Sequence, residues 1–525
     1  MKYYMKNRKI SFSKSIKVKN FKKFFLPISA IITLTYVAFR DMTQMIVQGE
    51  GFVWLIKSTH DNFWQSIPSS LANFEVSAVL VGTILINLFG LNLHLYYLAW
   101  LLVMILINIL LFFTVYTLTK NILVSFAAAL IFAVNYIAQW GLIGWTYTSF
   151  LERTITIVFL IPSFLFLHRY LEKSKLRDFL LTILLFFIGI GLGQWGLIFS
   201  GAYIFYPLAW FLFKKKTKKE FIKKFAISIS FLIICIFFLQ LHYINQSGIG
   251  PRYSLTYFLL HPEKFQYAQQ LPLQLSRMSQ YSALFKGITS NGILHRKPFF
   301  KGSPIGYLGD MKEGQKITKQ VILFYFIAIL IIYFRLSAFR PLLFTIIFGM
   351  LSIFLINIYF GRYMPEEQSG PSRYLYLPTI WFSIFWALFL WATFWQKRGL
   401  LFIFGSLILI GYYLINFWLI FLSFQAWMYS PNSTYLGTKS LFSYIQNIEP
   451  SIKPNTLIIT TWDEMGCGED TFLNEQIGKG KVAFWPDANN CAPPGGWEGI
   501  ASKSAQVIKL RYDKQCQCVI EEKIK

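Results

Sequence analysis

Charge is scarce in this chain, and acidic charge most of all. Its 525 residues include 24 Asp and Glu against 50 Lys and Arg, and only 14% are charged. Soluble domains usually carry about 25% charged residues. With 55% hydrophobic residues and so little charge, an ordinary water-soluble fold is excluded. No sequence-predicted helix carries a charge near its middle. Ion-coupled pumps and transporters usually need one there, which argues against that class. There is no Gly-rich nucleotide loop on the basic side of the segments, so no nucleotide cofactor is expected. Internal repeats and low-complexity tracts are also absent.

What remains is apolar length. About eleven segments approach the length needed to cross a bilayer. The net charge of +26 does not point to nucleic acid. The bases are spread over short loops between apolar segments, and they fall on alternate turns, the positive-inside pattern. Helices are expected at 24–39, 93–118, 122–139, 152–170, 178–192, 194–213, 225–243, 321–334, 341–359, 377–395 and 400–423. The turns at Lys120, at Arg169 to Arg177, at Lys214 to Lys219, at Arg335 and Arg340, and at Lys397 and Arg398 then lie inside. The basic segment 1–23 is cytoplasmic and the C-terminus is outside, in a multi-pass cell-membrane protein. A cleavable signal peptide is the rival reading of the first segment, but Val37-Ala38-Phe39-Arg40 is a poor cleavage site. The apolar run Val76 to Phe89 is too short to span. Counted as a crossing it would invert every later loop, so it is read as interfacial or re-entrant.

The expected fold is therefore an α-helical polytopic membrane protein with a small external α/β domain. A transmembrane domain covers 24–423, with external loops 40–92, 244–320 and 360–376, and the external domain covers 430–525. In the tail, 439–445 has helical spacing and 456–462 reads as a buried strand. Cys235 lies within a helix. Cys467, Cys491, Cys516 and Cys518 share the external tail, where disulfides persist. Cys516 and Cys518 flank one residue on an expected strand and should not reach each other. Each is then expected to pair with Cys467 or Cys491. A zinc site is the rival, but only one ligand pair is clustered.

Chemistry is expected in the external loops. The first holds Asp41, directly after the first helix, and Glu50 between glycines, besides Asp61 and Glu75. A carboxylate at the membrane surface can act as general base on a hydroxyl or hold a divalent metal. Otherwise these are solvated loop carboxylates. In loop 360–376, Arg373 stands among aromatics including Tyr374 and Tyr376. A guanidinium there suits a phosphate bidentately, and the bland alternative is a residue of the aromatic belt.

Ser372-Arg373-Tyr374-Leu375-Tyr376-Leu377-Pro378 resembles the Arg-Tyr-Leu-Tyr-Leu-Pro motif of membrane O-mannosyltransferases that bear tetratricopeptide tails, and of related bacterial proteins of the GT-C glycosyltransferase superfamily. Leu88-Phe89-Gly90-Leu91-Asn92 resembles the turn before that family's second helix. Ala127 to Asn135 resembles its third. The resemblance covers residues 24–423 and leaves out the tail. It implies an inverting transfer of a sugar from a polyprenyl-phosphate carrier to a protein or glycan acceptor on the external face. It also implies an acidic base in the first external loop. The family often shows an acidic doublet there, and this loop has none. Spacing from the Phe89-Gly90 turn favours Glu50, and nearness to the first helix favours Asp41. Arg373 would stabilise the leaving phosphate, supported by Arg362 or Arg153. A divalent metal is possible but not required. The competing readings are a polymerase or ligase of lipid-linked glycans, and a non-enzymatic transporter or scaffold.

Overall fold

The computed structural model describes residues 21–47, 76–90, 92–143, 150–214, 218–244, 311–359, 376–396, 399–429, 434–461, 473, 482–486, 501–513 and 515–523. Helices dominate. They are α1 (Phe21–Phe39), α2 (Val76–Phe89), α3 (Leu93–Thr119), α4 (Ile122–Ala133), α5 (Tyr136–Ile143), α6 (Ile155–Lys173) and α7 (Leu176–Leu192). There follow α8 (Ser200–Lys214), α9 (Lys218–Ile244), α10 (Met311–Arg335), α11 (Arg340–Tyr359), α12 (Tyr376–Leu390), α13 (Leu400–Tyr429) and α14 (Thr434–Ile448).

Among the described residues, five stretches are long and apolar enough to cross a membrane: Lys23–Gln44, Leu93–Thr119, Ile155–Lys173, Tyr376–Trp395 and Leu400–Gln425. A sixth arises if the pair Ile322–Arg335 and Ser337–Leu351, bent by 109°, is one span. The sequence expects about eleven, because apolar composition is legible where helix breaks are not. Two of the expected segments are broken. The segment expected as one helix over 122–139 is divided between Ala133 and Tyr136, leaving α4 with 12 residues and α5 with 8. The segment over 194–213 opens with a 3-10 turn, Gln194–Phe199, so α8 has only 15 residues. At 1.5 Å per residue such helices fall short of a hydrocarbon layer about 30 Å thick.

The Ala133–Tyr136 break is sealed by side chains. Asn135 Oδ1 accepts from the Ala138 amide at 3.0 Å, capping α5. The Tyr136 amide donates to Asn416 Oδ1 on α13 at 2.9 Å. Gln139 Nε2 donates back to the Phe132 carbonyl at 2.9 Å. Buried backbone groups freed by a break must find such partners.

A single core of buried apolar side chains runs from Met42 through Tyr96, Ile131 and Trp381 to Trp395. At Gly349 on α11 an added Cβ would meet the Trp381 ring at 2.9 Å. That glycine lets α12 approach α11 through its indole face.

The same core continues into the tail through Tyr435, Leu441 and Ile445 of α14. The tail sheet has order β2-β1-β3-β4, with β1 (Thr456–Thr461), β2 (Val482–Pro486), β3 (Gln506–Asp513) and β4 (Cys518–Lys523). β2, β1 and β3 are parallel, and β4 runs antiparallel to β3. Ile458 and Ile508 join the α14 side, while Leu457, Ile459 and Val507 form a core on the other. A parallel strand covered on both faces is apolar throughout, which explains the run Leu457-Ile458-Ile459. The Tyr444 hydroxyl donates to Glu521 Oε2, tying α14 to the edge strand. Burial, then that carboxylate, pushes the phenol up to about 12, so the donor persists at neutral pH.

The expected cysteine pairing is corrected. Cys516 and Cys518 form a disulfide with each other, their Cα atoms 5.2 Å apart. Cys516 is not on a strand but in the hairpin turn between β3 and β4. Gln517 adopts a left-handed φ of 52°, and the Asp513 carboxylate accepts from the Gln515 amide at 2.7 Å. This bend brings the two closer than the roughly 6.6 Å of extended i and i+2 residues. Cys467 and Cys491 lie outside the described residues.

Candidate functional site

The bundle has two chemically different ends. At one, the bases gather. Lys23 Nζ donates to the Tyr116 hydroxyl at 3.4 Å, joining the start of α1 to the end of α3. Lys120 follows in a left-handed turn, within electrostatic reach of Glu172, Lys173 and Arg169 on α6. Arg169 and Arg177 approach Asp178 Oδ1 at 3.7 and 3.8 Å, and Asp178 is wholly buried. His168 meets the Tyr206 hydroxyl at 2.6 Å and Glu172 at 3.4 Å. Arg335 and Arg340 close this end from α10 and α11, donating to the carbonyls of Ala392 and Tyr333. The sequence flagged these turns as basic. It gave no sign that Asp178 would be buried among them.

The candidate residues that are described lie at the opposite end. Asp41 sits in a 3-10 turn, Arg40–Gln44, that continues α1 and packs on α3. Its carboxylate is 15% exposed, and the nearest described cation is Arg40 at 3.8 Å. Arg153 and Thr154 close a π turn, Phe150–Thr154, at the entry to α6, and both are buried. Tyr376 opens α12, fully buried against Phe132 with ring centroids 5.3 Å apart. Its hydroxyl faces that of Thr154, short of hydrogen-bond geometry. Arg153 and Tyr376, assigned together from sequence, are thus brought to the same wall.

Aromatic rings connect the Asp41 turn to that wall. The Tyr435 hydroxyl of α14 donates to the Gln44 carbonyl, and Tyr435 lies close to Tyr97. Tyr97 stacks on Trp100 at 5.5 Å, and Trp100 on Phe150 at 5.3 Å. Phe150 begins the turn that holds Arg153. Alongside runs a neutral network that sequence reasoning missed. Asn135 Nδ2 donates to the Tyr412 hydroxyl at 3.0 Å, and Ser423 Oγ to the Tyr136 hydroxyl at 3.0 Å. An Asn inside an apolar run was the available signal.

Glu50, Asp61, Glu75, Arg362, Arg373 and Tyr374 lie outside the described residues. Among the described residues no group of His, Cys, Asp and Glu gathers as metal ligands. No protein-family model matches the chain, and no curated protein sequence matches it.

Proposed function

We propose that the chain is a membrane glycosyltransferase of the GT-C kind, moving a sugar from a polyprenyl-phosphate donor to an acceptor at the end of the bundle that carries Asp41. The observation that supports it best is the convergence at one bundle end of the Asp41 turn, the buried Arg153–Thr154 turn and Tyr376. Tyr376 follows Arg373 and Tyr374 closely in sequence. The gathering of most described bases at the other end agrees with an inward basic face and an outward Asp41. In this reading Asp41 or Glu50 takes the proton of the acceptor hydroxyl, which attacks the anomeric carbon from the face opposite the phosphate. The C–O bond to phosphate breaks and the sugar inverts. Arg373, with Arg362 or Arg153 in support, binds the departing phosphate, and Tyr374 and Tyr376 flank it.

The test uses the full chain in lipid nanodiscs with a polyprenyl-phosphate sugar, reading transfer and donor binding separately. Arg373→Ala should lower turnover by about 30-fold to 1000-fold, the equivalent of roughly 2–4 kcal/mol for a desolvated bidentate contact. Arg373→Lys should rescue poorly. Glu50→Gln and Asp41→Asn, assayed one at a time, identify the base as the change that removes turnover while donor binding survives. Undiminished transfer in both, or in Arg373→Lys, sinks the mechanism.

A further inference from the structure

Between the tail and the bundle lies an open cleft of about 260 Å3. Its floor includes Ile46, just past the Asp41 turn. Its polar walls are Asn92 and His94 at the start of α3, and Lys439, Ser443 and Gln446 on α14. No carboxylate lines it among the described residues. Lys439 is half-buried, with its ammonium 5.8 Å from the Tyr435 ring and within electrostatic reach of His94. Among the described residues it forms no ion pair. A partly desolvated ammonium facing a cleft without a counter-charge favours an anion there.

The remaining walls add polar groups. His94 Nδ1 lies 3.2 Å from the Met45 carbonyl. With that nitrogen donating, Nε2 of the neutral ring is an acceptor, suited to the P–OH of a singly protonated phosphate. Asn92 precedes a helix of 27 residues without capping it through its side chain. The Leu95 amide donates to the Asn92 carbonyl at 3.1 Å, so the amides of Leu93 and His94 are those a helix start leaves for an acceptor. The amide of Asn92 and the hydroxyl of Ser443 complete a mixed set suited to several oxygens on one centre.

We propose that this cleft binds a phosphate-bearing ligand, with Lys439 as its main charge contact. A phosphate monoester and the phosphodiester of a lipid headgroup share that chemistry, and a cleft at the bundle end is open to either. Because α3 and α14 supply opposite walls, an occupant bonds to both and holds the tail on the bundle. The inference uses no residue assigned to sugar transfer and stands or falls separately from that reading.

The experiment uses the full chain with two probes. In neutral detergent, inorganic phosphate is titrated at constant ionic strength against chloride and followed by calorimetry. In parallel, the thermal midpoint is compared in nanodiscs of phosphatidylcholine alone and with phosphatidylglycerol. Binding of phosphate supports a soluble source. Stabilisation by phosphatidylglycerol alone supports a lipid headgroup. Lys439→Gln should weaken whichever response is seen by about tenfold, the scale of one charge-assisted hydrogen bond, and Lys439→Arg should largely retain it. An unliganded midpoint equal to the parent's shows that Lys439→Gln still folds. If that variant does not fold, Ser443→Leu, which blocks the same cleft from an exposed position, takes its place. The proposal is overturned if neither probe acts on the parent chain, or if the substituted chain responds as the parent does.

Discussion

The two ends of the bundle solve the same problem differently. At the basic end, charge meets charge, as where Arg169 and Arg177 approach the buried carboxylate of Asp178. At the other, polar groups are satisfied by neutral bonds, Asn135 to Tyr412 and Tyr136 to Asn416. Charged side chains near helix ends reach water and headgroups by their length, so ion pairs there are tolerable. Neutral amides can seal a helix break without placing a fixed charge in the apolar layer. The proposed transfer of a sugar from a phosphate carrier would gain from the second arrangement, because structural carboxylates beside the site would repel the ligand. Few described carboxylates stand at that end, Asp41 chief among them.

The sharpest way to break this contrast is at Asp178. That carboxylate is fully buried, whereas Arg169 is 33% exposed and Arg177 71% exposed. Losing a base strands the buried acid, while losing the acid releases bases that can turn to water. Arg169→Met should therefore cost on the order of 3 kcal/mol, and Asp178→Asn clearly less. Asp178 is also in the first turn of α7, where the helix terminus favours its charge, so part of the pairing survives through Arg177. Thermal unfolding of both variants in one detergent checks the order. Equal losses would mean the ion pair does not hold α6 to α7.

The matching change at the neutral end is Asn416→Ala. Asn416 is buried and accepts from the Tyr136 amide at 2.9 Å. Its removal leaves a buried backbone donor unpaired, worth roughly 1–3 kcal/mol. The expected signature is local, with faster amide exchange at Tyr136 and Ala138 than elsewhere in the bundle. A uniform loss across all helices would show that the break has no energetic identity of its own.

Helix positions were largely legible in the sequence, because apolar runs bounded by bases leave few alternatives. Phe39, Leu93, Leu192 and Tyr359 end or begin elements where expected. What stayed hidden was long-range. Asn135 reads as a tolerated polar residue until Asn416, far along the chain, is known to face its neighbour. The break in 122–139 depends on that contact. Cys516 and Cys518 misled because alternation suggested one strand, when Asp513 and Gln517 set a turn. At the candidate site, Arg153 and Tyr376 could be chosen by type and position. The aromatic path from Gln44 to Phe150 could not, since it uses four separate stretches of chain.

The smallest effect should come from Tyr435→Phe. This change removes only the hydroxyl that donates to the Gln44 carbonyl, the bond that joins α14 to the turn bearing Asp41. The ring stays buried in the shared core with Leu441 and Ile445. If packing is what seats the tail, the loss should be that of one neutral hydrogen bond, about 0.5–1.5 kcal/mol, below the effect of Asn416→Ala. The carbonyl left behind lies near the bundle surface, where water can replace the donor, so the lower part of that range is expected. The midpoint of the full chain should shift slightly while proteolysis between α13 and α14 rises modestly. A loss as large as that of Asn416→Ala would instead make this single bond the hinge between tail and bundle. Asp41 would then be positioned by the tail, and its turn would belong to the tail rather than to the neutral network beside it.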